Sequence, residues 1–298
     1  MNYRILGKST LTISEIGFGS MSLGTNDLEN LNLVNRAIEL GINFFDTADI
    51  YQEGLNEHTL GRILKGKREQ MVIATKVGNV LRKGGGGWDW KPRKDYILSA
   101  VDGSLQRLKT DYIDLYQLHG GTMDDPIDEI IEAFEILQKQ GKIRFYGLSS
   151  IRPNVIREYI QRSSIVSVMM QYSLLDRRAE ESCLKLLLEN QVGVLARGSL
   201  AKGLLINKPA TEYLNYDKDQ VAQASGKVKS VSGVDRSPSQ TAISFVKQQK
   251  AITSVIVGLR TIGQLEDVVG THNIRSLESK DFQSLSESIP VNFYDQHR

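Results

Sequence analysis

The sequence predicts an α/β fold, a single (β/α)8 TIM barrel, and three features lead there. Eight short apolar runs alternate with amphipathic stretches along the 298 residues. Eight such alternations in this length suit a closed parallel barrel better than an open, doubly wound sheet. No linker or shift in composition divides the chain, so residues 1–298 read as one domain.

The elements follow in order. The opening "YRILGKSTLTIS" predicts a β-hairpin that turns at Gly7-Lys8 and caps the barrel bottom. The strand candidates are "EIGFGS", "GINFFDT", "MVIATK", "YIDLYQLH", "IRFYGLSS", "IVSVMMQ", "VGVLARG" and "ITSVIVG". Between them, "ENLNLVNRAIEL", "RKDYILSAVDGSLQRL", "PIDEIIEAFEILQKQ" and "SPSQTAISFVKQQ" repeat apolar residues at the i, i+3, i+4 spacing of a helix. Pro126 and Pro238 suit a first helical turn. Two segments, "KVGNVLRKGGGGWDWKPR" and residues 206–236, are too long for ordinary βα connections. In a barrel such loops lie at the C-terminal mouth, where function resides.

Composition narrows the function classes. The chain is 40% hydrophobic and 24% charged, with a formal net charge of +2. Lys and Arg form no run, which argues against a nucleic-acid or membrane surface. The single cysteine, Cys183, allows no intrachain disulfide, and in "SCLKLLL" it reads as a buried structural thiol. His58, His119, His272 and His297 are too scattered for a metal site. "MNYRILGKST" has no signal-peptide core and no apolar run is long enough to span a membrane, so a reducing cytoplasm is expected.

Where the runs end, chemistry begins. Their C-terminal ends are Asp46, Lys76, His119, Ser149-Ser150, Gln171, Arg197 and Gly258-Leu259-Arg260, with Tyr51 in the loop after Asp46. Each alone has an ordinary explanation as a cap, a solvated strand end or a satisfied histidine. A barrel gathers them at one mouth. A phenol is a poor proton donor to a carbonyl oxygen, but a neighbouring ammonium stabilises the phenolate. Asp46 would hold Lys76 charged, and His119 would orient a carbonyl against Tyr51. Together they would form a general acid for reduction and, in reverse, a general base for alcohol oxidation. Asp49 reads as loop chemistry.

Through "FFDTADIY", "ATK", "YQLH", "YGLSS", "MMQYS" and "SVIVGLR", in that order, the chain resembles the aldo-keto reductases over essentially its whole length, in their bacterial NADP-dependent form. The resemblance implies a cytoplasmic oxidoreductase that reduces an aldehyde or ketone with NADP(H). Tyr51 would be the acid, Lys76 and Asp46 its tuning pair, and His119 the carbonyl-orienting group. Ser149, Ser150, Gln171, Arg197 and Gly258 would contact the cofactor, and Leu200, Gly203 and Lys208 would line its pyrophosphate path. Arg260 and Thr261, opening a predicted helix, would take the 2′-phosphate, with Gln264 and Asp267 facing the adenosine. Neither "GFGSMSLG" nor "KGGGGW" completes a nucleotide fingerprint.

The sequence departs from the family pattern at four places. Ser150 stands where asparagine is usual and Arg197 where an aromatic ring commonly stacks on the nicotinamide. Val257 replaces a proline, and Val268 an adenine-facing asparagine. Met21, Trp88 and Trp90 are the substrate-side candidates, with the two tryptophans forming a lid or wall. The expected partner is a small carbonyl compound, and the expected assembly a monomer or weak homo-oligomer. Two other readings stay open: an NADPH-binding redox sensor or channel-regulatory subunit with little turnover, and a barrel isomerase or lyase holding a phosphorylated sugar near Arg260.

Overall fold

The computed structural model describes residues 1–82 and 84–298; Lys83, in the glycine-rich run, lies outside them. The chain opens with an antiparallel hairpin, β1 (Tyr3–Ile5) and β2 (Thr12–Ser14), paired from Tyr3↔Ser14 to Ile5↔Thr12. Gly7 in its turn has φ +53°, and a Cβ there would sit 2.2 Å from the Val166 carbonyl oxygen, so only glycine fits. The hairpin buries Leu6, Leu11 and Ile13 against Phe44, Val72, Leu115, Val166 and Leu195, which plugs the barrel from below. This is the cap that the opening residues predict.

Each of the eight apolar runs forms a barrel strand. They are β3 (Ile16–Gly19), β4 (Phe44–Asp46), β5 (Val72–Val77), β8 (Ile113–Leu118), β9 (Ile143–Ser149), β10 (Ser167–Gln171), β11 (Gly193–Arg197) and β12 (Ile252–Val257). All pair in parallel in chain order, and β12 returns to β3 through Val255↔Ile16, closing the sheet. A short antiparallel ribbon, β6 (Asn79–Leu81) with β7 (Trp88–Trp90), is inserted after β5.

Strand alternation sorts the side chains into two cores. Phe44, Ala74, Leu115, Met169, Leu195 and Ile256 fill the barrel, while their neighbours Phe45, Ile73, Tyr116, Val168, Val194 and Val255 pack outward under the helices. Two residues beyond the inward apolar layer, the same alternation gives Asp46, Lys76, Gln117, Gln171 and Arg197. The floor is therefore apolar and the mouth polar.

The helices are α1 (Asp27–Glu39), α2 (Leu55–Ile63), α3 (Lys94–Leu108), α4 (Ile127–Lys139), α5 (Pro153–Arg162), α6 (Cys183–Glu189), α7 (Lys218–Ser232), α8 (Pro238–Lys247), α9 (Ile262–Val269) and α10 (Ser279–Ser286). Pro238 opens α8 behind a Ser237 cap, whereas Pro126 stands one place before α4 instead of within its first turn. About half of segment 206–236 is α7, begun by a capping box between Asp217 and Gln220. Cys183 is buried, and burial pushes its thiol up to about 11, as suits a structural residue. No helix among the described residues is long and apolar enough to cross a membrane.

Candidate active site

Lys76 sits on the inner face of β5, fully enclosed, and its ammonium has three partners. It donates to Asp46 Oδ2 at 2.8 Å, to the Thr47 carbonyl at 2.6 Å and to Tyr51 Oη at 3.4 Å. Burial works against the ammonium, but the charges of Asp46 and Tyr51 outweigh it and hold its pKa above the ordinary lysine value. Burial likewise pushes the Asp46 carboxyl upward, with Lys76 the chief opposing group and Arg197 also pulling it down.

The loop after β4 is built to fix Tyr51. Thr47 donates to Asn56, and Asn56 donates to the Ser20 carbonyl, both at 2.7 Å. Past Tyr51, Gln52 and Glu53 both take left-handed φ values of 50° and 57°, a conformation non-glycine residues rarely hold. The Gln52 amide donates to the Leu23 carbonyl at 3.0 Å, tying the strained turn to the loop after β3.

His119 follows β8 directly. Its ring meets that of Tyr51 edge-on, with centroids 5.9 Å apart. Asn79 donates to its carbonyl at 3.2 Å, and the Tyr96 hydroxyl donates to the Asn79 carbonyl in turn. Burial, with Lys76 and Arg197 adding, lowers its pKa to about 3, so the imidazole is neutral at physiological pH.

Asp49 departs from the sequence expectation. It is buried beneath the Tyr51 loop, its amide donating to the Lys76 carbonyl at 3.4 Å. Burial, then the neighbouring Glu57, pushes its carboxyl up to about 8. Glu57 is itself enclosed, accepting from Thr75 Oγ1 at 2.5 Å and from Arg107 at 2.6 Å. Helices α2 and α3 supply that cover, which a loop reading of "DTADIY" does not foresee.

Above the barrel opens one cavity of about 1460 Å³. Asp46, Tyr51, Lys76 and His119 line it, together with Met21, Trp88 and Trp90. Ser149, Ser150, Gln171, Arg197, Leu200, Gly203, Lys208, Gly258, Arg260, Gln264 and Asp267 line it too. Thr261 does not: its hydroxyl caps α9 by accepting from the Gln264 amide at 3.2 Å. Gln264 answers by accepting from the Arg260 amide at 3.0 Å, which leaves the Ile262 and Gly263 amides facing outward from the helix start. The turn after β11 takes positive φ at Ala201, Lys202 and Gly203, and Lys208 folds over Gly203. Ser150 Oγ accepts from the Arg152 amide at 3.2 Å and keeps its own proton to donate.

In the glycine-rich insertion the two tryptophans are held differently. Trp90 donates from its indole to Asp125 at 2.8 Å and lies over Gly78 and Gly120. A Cβ on Gly78 would come 2.7 Å from the ring. Trp88 stands at the rim, 54% exposed. Sequence reasoning missed Asn79, Arg152, Ser199 and Tyr213, which also line the cavity. Only Asn79, three residues past Lys76, offered a positional clue.

The family model of the aldo/keto reductase family matches residues 15–290. The chain belongs to the aldo/keto reductase family. It is 47% identical to the uncharacterized oxidoreductase YqkF of Bacillus subtilis (strain 168), the alignment covering all of both chains. It is 32% identical to the NADH-specific methylglyoxal reductase of Escherichia coli (strain K12), over 70% of each chain. Among solved structures, it superposes on aldo-keto reductase AKR11C1 from Bacillus halodurans. Against the holo form the TM-score is 0.94 at 47% identity, covering 100% of this chain and 99% of that one. Against the apo form the TM-score is 0.87 at 45% identity, with the same coverage. This oxidoreductase family works with a nicotinamide cofactor, and the cavity suits one. Its volume, the open amides of α9 and the row of cations at Arg197, Lys202, Lys208 and Arg260 match a long dianionic or trianionic ligand.

Proposed function

We propose that the protein reduces an aldehyde or ketone to an alcohol with NADPH, using Tyr51 as general acid. The observation that carries this reading is the Asp46–Lys76–Tyr51 chain, closed by neutral His119 at the mouth of the cavity. When bound, the cofactor supplies hydride to the carbonyl carbon. The protein's part is proton delivery and orientation. Lys76, charged and immobile, stabilises the phenolate left when Tyr51 gives up its proton. His119, unprotonated, donates one ring N–H to the carbonyl oxygen and turns it toward Tyr51 Oη. Met21, Ile50, Trp88 and Trp90 give that side of the cavity an apolar surface for the substrate.

Four strand ends would divide the cofactor among them. Ser149, Ser150 and Gln171 would hold the carboxamide, Arg197 would stack on the ring, and Gly203 with Lys208 would receive the pyrophosphate. Arg260 at the start of α9 favours a 2′-phosphate, and hence NADPH over NADH. Membership of the family alone does not make that choice, since one relative is an NADH-specific reductase.

The test is cofactor oxidation at 340 nm against a panel of aldehydes and ketones, beside NADPH and NADH titrations. Saturable turnover with NADPH supports the reductase. Tight NADPH binding with no turnover on any carbonyl supports the sensor reading instead.

A further inference from the structure

Gln117 is fully enclosed inside the barrel, between Leu115 and Leu118 on β8, and neither atom of its carboxamide has a hydrogen-bond partner among the described residues. Two further unpartnered groups lie on nearby strands of the barrel. One is Asp46 Oδ1, the carboxylate oxygen that Lys76 leaves free. The other is Ser167 Oγ, which stands 2.5 Å from where a Gly147 Cβ would be.

The register places Gln117 between them. Its Cα pairs with Lys76 on one side and with Gly147 on the other. It faces inward by the same alternation that sends Leu115 into the barrel core and Tyr116 outward. Because Gly147 has no side chain, none from β9 stands between the carboxamide and Ser167 Oγ, and Lys76 flanks it on the other side. Chemistry orients it. Lys76 has committed its donors to Asp46, Thr47 and Tyr51, so it has none for the amide oxygen. The amide nitrogen can serve only an acceptor, and the free oxygen of the Asp46 carboxylate is such an acceptor.

We propose that Gln117 is a positioning residue for the proton-transfer site: its Nε2 donates to Asp46 Oδ1 while Ser167 satisfies its Oε1. Gln117 lies below the cavity and touches neither substrate nor cofactor. It acts through Asp46. Desolvation favours the neutral carboxylic acid, and a neutral Asp46 could no longer hold Lys76 as an ammonium beside Tyr51. An amide donor on the second oxygen keeps the carboxylate charged, and so keeps the phenolate stabilised. The charged and titratable groups facing Asp46 are Lys76 from β5, Arg197 from β11, and Tyr51 and His119 from the strand-end loops. Gln117 is the neutral donor among them.

This inference rests on the reductase reading for its effect on turnover, so the test includes a readout that needs none. In Gln117→Met, which keeps length and volume, the Asp46 carboxyl carbon is followed by 13C NMR across pH, beside the parent. Its midpoint should move about one pH unit higher, a tenfold change in the balance of its two forms. The acid limb of kcat should move the same way, with the NADPH Kd changed less than about twofold. A purely space-filling Gln117 would lower the unfolding midpoint and reduce kcat equally at every pH; that outcome overturns the proposal. If Gln117→Met fails to fold, isosteric Gln117→Glu serves. It removes the donor and faces Asp46 with a second carboxyl, so the limb should again move up, and an unmoved titration overturns the proposal. A parent that titrates as described yet turns over no carbonyl would sink the reductase reading while leaving the Gln117 contact standing.

Discussion

Asp49→Asn should make the protein more stable, and more so as pH rises. The folded chain raises this carboxyl from the ordinary 3.8 to about 8. Between those values the folded state keeps a proton that the unfolded state releases. An acid shifted upward in this way contributes stability that is complete below pH 4 and lost as pH climbs through 8. The parent therefore loses about 1.4 kcal/mol per pH unit across that window. The ceiling at pH 7 is about 4 kcal/mol, and structural relaxation makes about 2 to 4 kcal/mol the expected gain for the amide. The asparagine also removes the repulsion with buried Glu57, which stays paired to Thr75 and Arg107. Urea unfolding of both proteins at pH 5, 6, 7 and 8 reads the difference directly, and subtraction cancels every other titrating group. A gain of about 1 kcal/mol at pH 5 that grows toward pH 8 is expected. A flat difference, or a variant weaker than the parent at pH 8, would refute the buried-acid argument.

Two further outcomes concern the cofactor. Arg197→Tyr should weaken the preference for NADPH over NADP+ by about threefold to tenfold, because the guanidinium repels the charged, oxidised ring more than the reduced one. Fluorescence titration of both forms measures the ratio, and an unchanged ratio removes the stacking role. Arg260→Ala should raise the NADPH Kd by about 10- to 100-fold, the worth of a charge-assisted phosphate contact, and leave the NADH Kd almost unmoved. Equal losses for both cofactors would place Arg260 elsewhere.

The barrel was legible because its strands carry their own signal. Nearly every apolar run ends in a polar residue, and "FFD", "ATK" and "YQLH" announce where a strand leaves the core. The site was legible for the same reason, since a barrel makes neighbours of strand ends that lie far apart in sequence. Other features depended on packing that no local pattern encodes. Asp49 looks like a turn residue until α2 and α3 close over it with Glu57 and Arg107. Gln117 looks like an outward polar residue in an alternating strand, but Tyr116 takes the outward position. Helix α7 hid in a segment rich in Lys, Ser and Gln, where Gly226 interrupts any helical signal. At Thr261 a helix start suits both a ligand and a cap, and the hydroxyl accepts the cap bond from the Gln264 amide.

The central claim is that Tyr51 is the proton donor and Lys76 sustains it. Single-turnover reduction of a competent carbonyl by Tyr51→Phe, with NADPH affinity measured on the same protein, tests this most directly. The account predicts a rate lower by about 100-fold or more with the NADPH Kd unchanged within about twofold. A phenylalanine variant that reduces the carbonyl at the parent's rate would contradict it.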